Sequence, residues 1–427
     1  MNQAGQAARM LSDTQVQALA TEFGTPLWVM DADTIRERVA QLRAFDTLRY
    51  AQKANPNTHL LRLLRAEGVK VDAVSRGEAL RALKAGYQGG AAQAPLDQAA
   101  AAEIVYTADL LDRESLDFVV EQGVVVNCGS IDMLRQLGER SPGHAVWIRL
   151  NPGFGHGHSR KTNTGGEGSK HGIWHVQLPE ALAVIRQTGL RLVGLHMHIG
   201  SGVDYGHLAQ VGGAMVAAVR QVLAAGLDLQ AISAGGGLSI PYRAGEPRVD
   251  TAHYFELWDA ARREAAALLG HPLHLEIEPG RFLVAEAGCL LAEVRAVKRQ
   301  GSVAYVLVDA GFNELMRPAM YGAHHGLRLI AHDGRTLGPA RPTVVAGPLC
   351  ESGDVFTQGE GGELRPQDLP AAQVGDWLLI EHTGAYGSAM SSNYNSRPLA
   401  AEVLLEGGRA RLIRRRQRVE ELLALED

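Results

Sequence analysis

Leu48-Arg49-Tyr50-Ala51-Gln52-Lys53 decides how the first 280 residues are read, because it is a short β-forming run that delivers a chemically capable side chain at its end. The same arrangement recurs at 69–74, 104–107, 124–127, 145–150, 192–198, 229–233 and 273–278, which with 48–51 makes eight strand-like runs. Between them, segments such as 177–189, 207–226 and 252–269 space their apolar residues as helices do and stop near glycine. Strands that alternate with helices form βα units around a parallel sheet. Eight of each predict a closed (β/α)8 barrel of the TIM type rather than an open sheet.

After residue 281 the helical spacing disappears. Strand-like runs at 305–308, 343–345 and 377–380 follow, separated by Gly347-Pro348, the glycines of 359–362 and Gly407-Gly408. They predict a second, mostly β domain, sandwich- or barrel-like. The first thirty residues hold a helical stretch and then a short run, 26–30, suited to pairing with that sheet. The expected organisation is therefore a barrel over 31–280 and a β-rich domain over 281–427 to which 1–30 contributes.

Composition narrows the class of function. Of 427 residues, 46% are hydrophobic and 21% charged, as in ordinary globular enzymes. The net charge of −5 gives no field attractive to nucleic acid or an anionic membrane. Arg414-Arg415-Arg416 reads as a solvated face. No run approaches the roughly 18 apolar residues of a membrane span, and Met1 to Met10 lack a hydrophobic signal core. Cys128, Cys289 and Cys350 are too few and too unevenly spaced for a disulfide framework. A cytoplasmic enzyme is expected. Many of the 49 glycines cluster, as in Gly153-Phe154-Gly155, Gly165-Gly166 and Gly235-Gly236-Gly237, where backbone can approach a ligand closely.

The candidate chemistry sits at the strand ends. Lys53, Ser75, Asp109, Asn127, Asn151, His196 with His198, the glycines 235–237 and Glu278 all fall at or just past C-terminal ends, the face of a barrel that carries its active site. Partial burial of Lys53 at the rim would yield the neutral amine needed for a Schiff base. A lone lysine is better explained by a stem that merely packs, so its context has to carry the reading. His196 and His198 share one side of their strand. They suit either a zinc site or a ring stacked on a flat cofactor, and His156 and His158, in a glycine-rich loop, make poor rigid metal ligands. No metal is expected. The 235–237 and 278–281 segments close the last two strands, where barrels bind phosphate. An acidic Glu278 beside a pyridine nitrogen would keep that ring protonated and make it an electron sink. An ordinary salt bridge to Arg281 is the lesser alternative. The long segment 151–173 follows the fifth strand and reads as a functional loop. In the second domain, Arg317 offers a planar fork for a carboxylate, and Cys350 beside Glu351 is a candidate proton donor.

Six motifs in this order, Tyr50-Ala51-Gln52-Lys53-Ala54-Asn55, His196-Met197-His198-Ile199-Gly200-Ser201, Gly235-Gly236-Gly237, Glu278-Pro279-Gly280-Arg281, Cys350-Glu351-Ser352-Gly353-Asp354 and Met390-Ser391-Ser392-Asn393-Tyr394-Asn395, resemble the barrel-type (fold type III) pyridoxal-phosphate decarboxylases. Within them the similarity is greatest to the bacterial diaminopimelate decarboxylases. The resemblance implies that Lys53 carries pyridoxal 5'-phosphate as a Schiff base, that His196 stacks on its ring, and that Glu278 meets the pyridine nitrogen. It further implies that Ser201, Gly235, Gly236, Gly237 and Gly280 hold the phosphate. Arg281, Arg317 and Tyr321 would bind the substrate's distal carboxylate and Glu351 its distal amino group. Tyr386 would lie near cofactor and substrate, and Cys350 would reprotonate the substrate carbon. Cys350 and Glu351 would come from the partner subunit of a homodimer. The implied reaction is decarboxylation of meso-diaminopimelate at its D-configured centre to L-lysine, the last step of bacterial lysine biosynthesis.

Related decarboxylases that act on arginine, ornithine or a carboxylated polyamine would want an acidic residue where Arg317 stands. A racemase would gain little from Glu278, and a carrier of the cofactor would need neither Cys350 nor Arg317.

Overall fold

A 13-residue strand and a five-residue strand far apart in sequence organise the β-rich part of the chain. In the computed structural model, which describes residues 11–155, 164–202 and 204–426, Leu27–Asp31 runs antiparallel to Gly288–Gln300 and parallel to Ala401–Glu406. The alternation of a strand explains its sequence Leu-Trp-Val-Met-Asp. Trp28 packs on one side with Leu290, Ala292 and Ile380. Leu27 and Val29 pack on the other with Leu11, Val16, Leu19 and Val403. Val303–Val308 and Trp377–Ile380 extend this sheet, as their β-branched and aromatic residues predict. Gly407 and Gly408, at φ 55° and 77°, turn the hairpin between Ala401–Glu406 and Arg409–Arg414.

The other part is a closed barrel. Its strands are β1 (Thr47–Ala51), β2 (Lys70–Ala73), β3 (Ile104–Ala108), β4 (Val125–Cys128), β5 (Ala145–Asn151), β6 (Arg191–Met197), β7 (Ala231–Ser233) and β8 (His274–Ile277). Every neighbour pairs in parallel, and β8 returns to β1 through Glu276 opposite Thr47. All eight expected strands are present. Helices cover the outside, among them Leu178–Thr188, Tyr205–Ala224 and Thr251–Leu269. Asp204 and Asp250 cap the last two by accepting backbone N–H groups, and Gly270 at φ 81° ends the third.

The strands are buried on both faces, so polar residues inside must find partners. Arg49, fully buried, donates to Glu276 over 2.9 Å and to the Ala102 carbonyl over 3.0 Å. Sequence periodicity did not reveal this pair. Neither did it reveal the two-residue strand Ile173–Trp174, which lengthens the sheet beside β5 at the end of the expected loop.

By Cα proximity the chain divides into residues 36–240 with 248–283, and residues up to 35 with 241–247 and 284–427. The segment 241–247, which lies between barrel elements in sequence, thus belongs with the β-rich unit. The readings of Met1 to Met10, His156 and His158 fall outside the described residues.

Candidate active site

β8 ends one residue before Glu278, and β6 ends one residue before His198. The two-residue period therefore turns Glu276 and Glu278 to one side of β8, and His196 and His198 to one side of β6. His196 Nε2 lies 2.8 Å from Glu278 Oε2, with the side chains only 1% and 8% exposed. Burial alone would push the Glu278 carboxyl up. Attraction and hydrogen bonding from His196, with the charges of Arg49 and His198, hold it below the usual carboxylate range.

Asp72, on β2, has the opposite fate. Burial, reinforced by Glu278, pushes its carboxyl up, so it holds its proton near neutrality. Two interior carboxyls are thereby split into a neutral acid and a fixed anion.

The triple glycine is wedged between the ends of β6 and β8. A Cβ on Gly235 would meet the Met197 carbonyl oxygen at 2.6 Å, one on Gly236 the Glu278 carbonyl oxygen at 2.5 Å, and one on Gly237 the Gly200 carbonyl oxygen at 2.5 Å. The Gly236 N–H donates to His198 Nδ1 over 3.2 Å, so the proton of that ring is on Nε2. Burial first, then the charges of Arg149 and Lys53, push His198 well below the ordinary histidine range and keep it neutral. Beside the glycines, Ile199, Gly200, Gly202 and Asp204 line a recess. Gly280 packs its Cα side against Ala51 at the end of β1. Ser201 and Arg281 are half-buried.

The segment 164–172 is strapped across three strand ends. His171 Nδ1 meets Asp109 Oδ2 at 2.6 Å, Asp109 Oδ1 accepts the Gly172 N–H at 2.8 Å, and Thr164 donates to the His198 carbonyl at 3.1 Å. Asn151 accepts from the Gly153 and Gly166 N–H groups and donates to the His171 carbonyl. Asp109 and Asn151, expected at the mouth, thus hold this loop.

Three expectations change. Lys53, on a one-turn 3-10 helix Gln52–Ala54, is exposed, so the burial invoked for its amine is not found; its position past β1 remains. Ser75 caps the helix Arg76–Ala85 by accepting from Glu78 and is spent there. His196, given the ring-stacking role, is sealed beneath the mouth against Glu278. His198, half-buried, is the histidine that reaches the mouth. A side chain covered on all sides offers no face to a ring.

The β-rich unit carries its own cluster. Arg317, 6% exposed, opens the short helix Arg317–Tyr321 and donates to the Tyr242 hydroxyl at 3.1 Å. Tyr321 is half-buried. Cys350 and Glu351 are exposed on a loop organised by Asp354, which accepts the N–H groups of Leu349 and Phe312. The Cys350 N–H donates to Asn395 Oδ1 at 2.8 Å, and Asn395 sits at φ 54°. Tyr386 also adopts a left-handed backbone, φ 57°. Such strain in residues other than glycine gathers at functional sites. Tyr242 was missed, since nothing in its local sequence links it to residue 317.

The family model for the pyridoxal-binding domain of pyridoxal-dependent decarboxylases matches residues 32–285. The diaminopimelate decarboxylase of Escherichia coli strain K12 is 62% identical over 410 residues, 96% of this chain and 95% of that protein. That of Streptomyces coelicolor is 62% identical over 417 residues, covering 97% and 92%. A crystal structure of a diaminopimelate decarboxylase superposes with a TM-score of 0.93 at 60% identity, over 99% and 98% of the two chains. The Helicobacter pylori diaminopimelate decarboxylase complexed with L-lysine gives 0.83 at 30% identity, over 96% and 98%.

Proposed function

This chain belongs to the diaminopimelate decarboxylases, and from that premise we propose how its own residues carry the reaction. The enzyme is a pyridoxal-phosphate-dependent lyase that decarboxylates diaminopimelate to lysine, the last step of lysine biosynthesis. The donor set fits the cofactor: a strand-end amine, a buried anionic carboxylate, and a recess lined by Gly200, Gly202, Gly236 and Gly237, of which the last two pack so closely on neighbouring carbonyl oxygens that no larger side chain fits there. When bound, the cofactor supplies a protonated heteroaromatic ring that withdraws the electrons left by carbon dioxide.

In this reading Lys53 holds the cofactor by its amine. Glu278, kept anionic by His196, would meet the pyridine nitrogen and favour its protonated form. His198 would be the histidine beside the ring, the place first assigned to His196. Ser201, Gly235, Gly236, Gly237 and Gly280 receive the phosphate, with Arg281 beside phosphate or substrate. Arg317, with Tyr321, takes the distal carboxylate of the meso substrate, Glu351 its distal amino group, and Tyr386 borders cofactor and substrate. Cys350 returns a proton to the substrate carbon. The exposure of Cys350 and Glu351 supports their serving the site of a partner subunit, and hence a homodimer. We take 31–280 as the cofactor-binding domain and 281–427 with 1–30 as the second. Among the described residues no helix is long and apolar enough to cross a membrane, and a cytoplasmic location suits a biosynthetic enzyme of this kind.

The single observation that carries the proposal is the His196–Glu278 bond, because it keeps an anion where a pyridine nitrogen would need one. The test is twofold. Lys53→Ala should abolish the visible absorbance of a lysine-bound cofactor and the release of carbon dioxide from meso-diaminopimelate. Arg317→Leu should raise KM for that substrate by about 100-fold, as expected when a buried ion partner is removed, while cofactor affinity holds. Equal loss of both would take Arg317 out of the substrate site.

A further inference from the structure

We propose that His325 and Tyr242 are the positioning residues of Arg317 and so set the enzyme's affinity for a substrate with a second carboxylate. The inference rests on the reading of Arg317 as the carboxylate anchor.

Arg317 Nη1 lies 3.0 Å from His325 Nε2, and His325 Nδ1 lies 2.9 Å from the carbonyl oxygen of Glu381. A guanidinium can only donate and a carbonyl can only accept. The ring proton is therefore on Nδ1 and the lone pair of Nε2 faces Arg317. His325 is 2% exposed. Burial first, then the charge of Arg317, push it well below the ordinary histidine range, and His382 and His324 act in the same sense. The groups that face it are thus Arg317, Tyr242, His324, His382 and the Glu381 carbonyl; the carbonyl bond favours the charged ring, but burial with Arg317, His382 and His324 outweighs it and keeps His325 a neutral acceptor.

Tyr242 constrains the guanidinium from a second direction. Its hydroxyl accepts from the same Nη1 at 3.1 Å, and its ring centroid is 4.9 Å from Arg317 Cζ. The ring is itself held edge-on to His325 at 5.5 Å and 82°, and to His382 at 6.4 Å and 80°. A planar cation with one nitrogen tied to two fixed acceptors has little freedom to turn. Its orientation is settled before a carboxylate arrives, which lowers the ordering cost of binding.

Two substitutions at one position separate a positioning role from a packing role. Gln at 325 can bring its amide oxygen to the place of Nε2 and accept from Arg317. Asn is one carbon shorter; it reaches the Glu381 carbonyl but not Arg317. With cofactor-loaded enzyme, His325→Asn should raise KM for meso-diaminopimelate about 10- to 100-fold, the range one hydrogen bond to a charged group carries. Its kcat and cofactor Kd should stay near wild type. His325→Gln should recover most of the loss. Tyr242→Phe, which removes only an oxygen that accepts from the same charged nitrogen, should likewise raise KM about 10- to 100-fold, and serves where a substitution at 325 fails to fold.

Neither change should add to the loss in an Arg317→Leu background. Equal KM values for the Asn and Gln variants, or effects that add to Arg317→Leu, would overturn the positioning role while leaving Arg317 in place. An unchanged KM in Arg317→Leu itself would instead remove the anchor reading, and this inference with it.

Discussion

His196 and Glu278 meet across the barrel interior from β6 and β8, 2.8 Å apart and shut off from solvent. A carboxylate so placed is costly without its partner, because burial opposes its charge. Removing the donor in His196→Leu should let the Glu278 carboxyl rise. A group with a depressed folded pKa lends stability above its unfolded pKa and loses it as pH falls through the folded value. In His196→Leu the acid limb of the kcat profile, and acid unfolding, should therefore begin at higher pH. His196→Gln, which keeps an N–H donor, should lie between. An acid limb unmoved in His196→Leu would show that Glu278 does not depend on this bond.

Asp72 predicts a pH effect of the opposite sign. Its folded value is pushed up to about 8, so the folded state binds a proton that the unfolded state releases near pH 4. The stabilisation is complete below pH 4 and drains away as pH rises toward 8. Thermal melting at pH 6 and pH 9 should show a fall in Tm for the wild type and a smaller fall for Asp72→Asn, which cannot ionise. Equal falls would mean that Asp72 is ionised in the fold.

Gly236→Ala should damage cofactor binding and stability together. Its Cβ would press on the Glu278 carbonyl oxygen at 2.5 Å, backbone that cannot swing aside. Overpacking of this kind costs about 1–3 kcal/mol. Titration of apoenzyme with pyridoxal phosphate and a melting curve would measure both. Normal values for both would show that the loop has room to move.

The Asp109–His171 contact predicts how firmly the strap is held. Asp109 Oδ2 and His171 Nδ1, 2.6 Å apart, are only partly exposed. Loss of such a bond costs about 1–2 kcal/mol, so opening of 164–172 in His171→Ala should rise about 5- to 30-fold. Limited proteolysis should record the change as faster cleavage in that segment. Unchanged cleavage would leave the strap to Asn151 and Thr164.

The barrel was legible because its signals are local. Each β-strand announces itself by four to seven residues of suitable type, and the polar residue at its end follows from chain direction alone. Leu27–Asp31 was legible as a strand, and glycines such as 407 and 408 as turns, for the same reason. Arg49–Glu276 and the Tyr242–Arg317 contact were not legible, since 227 and 75 residues separate the partners. No periodicity reports such distances.

His196 and His198 show where the boundary lies. The sequence by itself determined that both point to one side of a strand, and that Lys53, the triple glycine and Glu278 lie at ends of the same barrel. Local periodicity and chain direction suffice for that. Only the tertiary structure decided which histidine is sealed against Glu278 and which reaches the mouth, because burial depends on what neighbouring strands bring to the same depth. It likewise decided that 241–247 joins the β-rich unit and lays Tyr242 over Arg317. Both outcomes are set by long-range packing, in which residues distant along the chain compete for the same space.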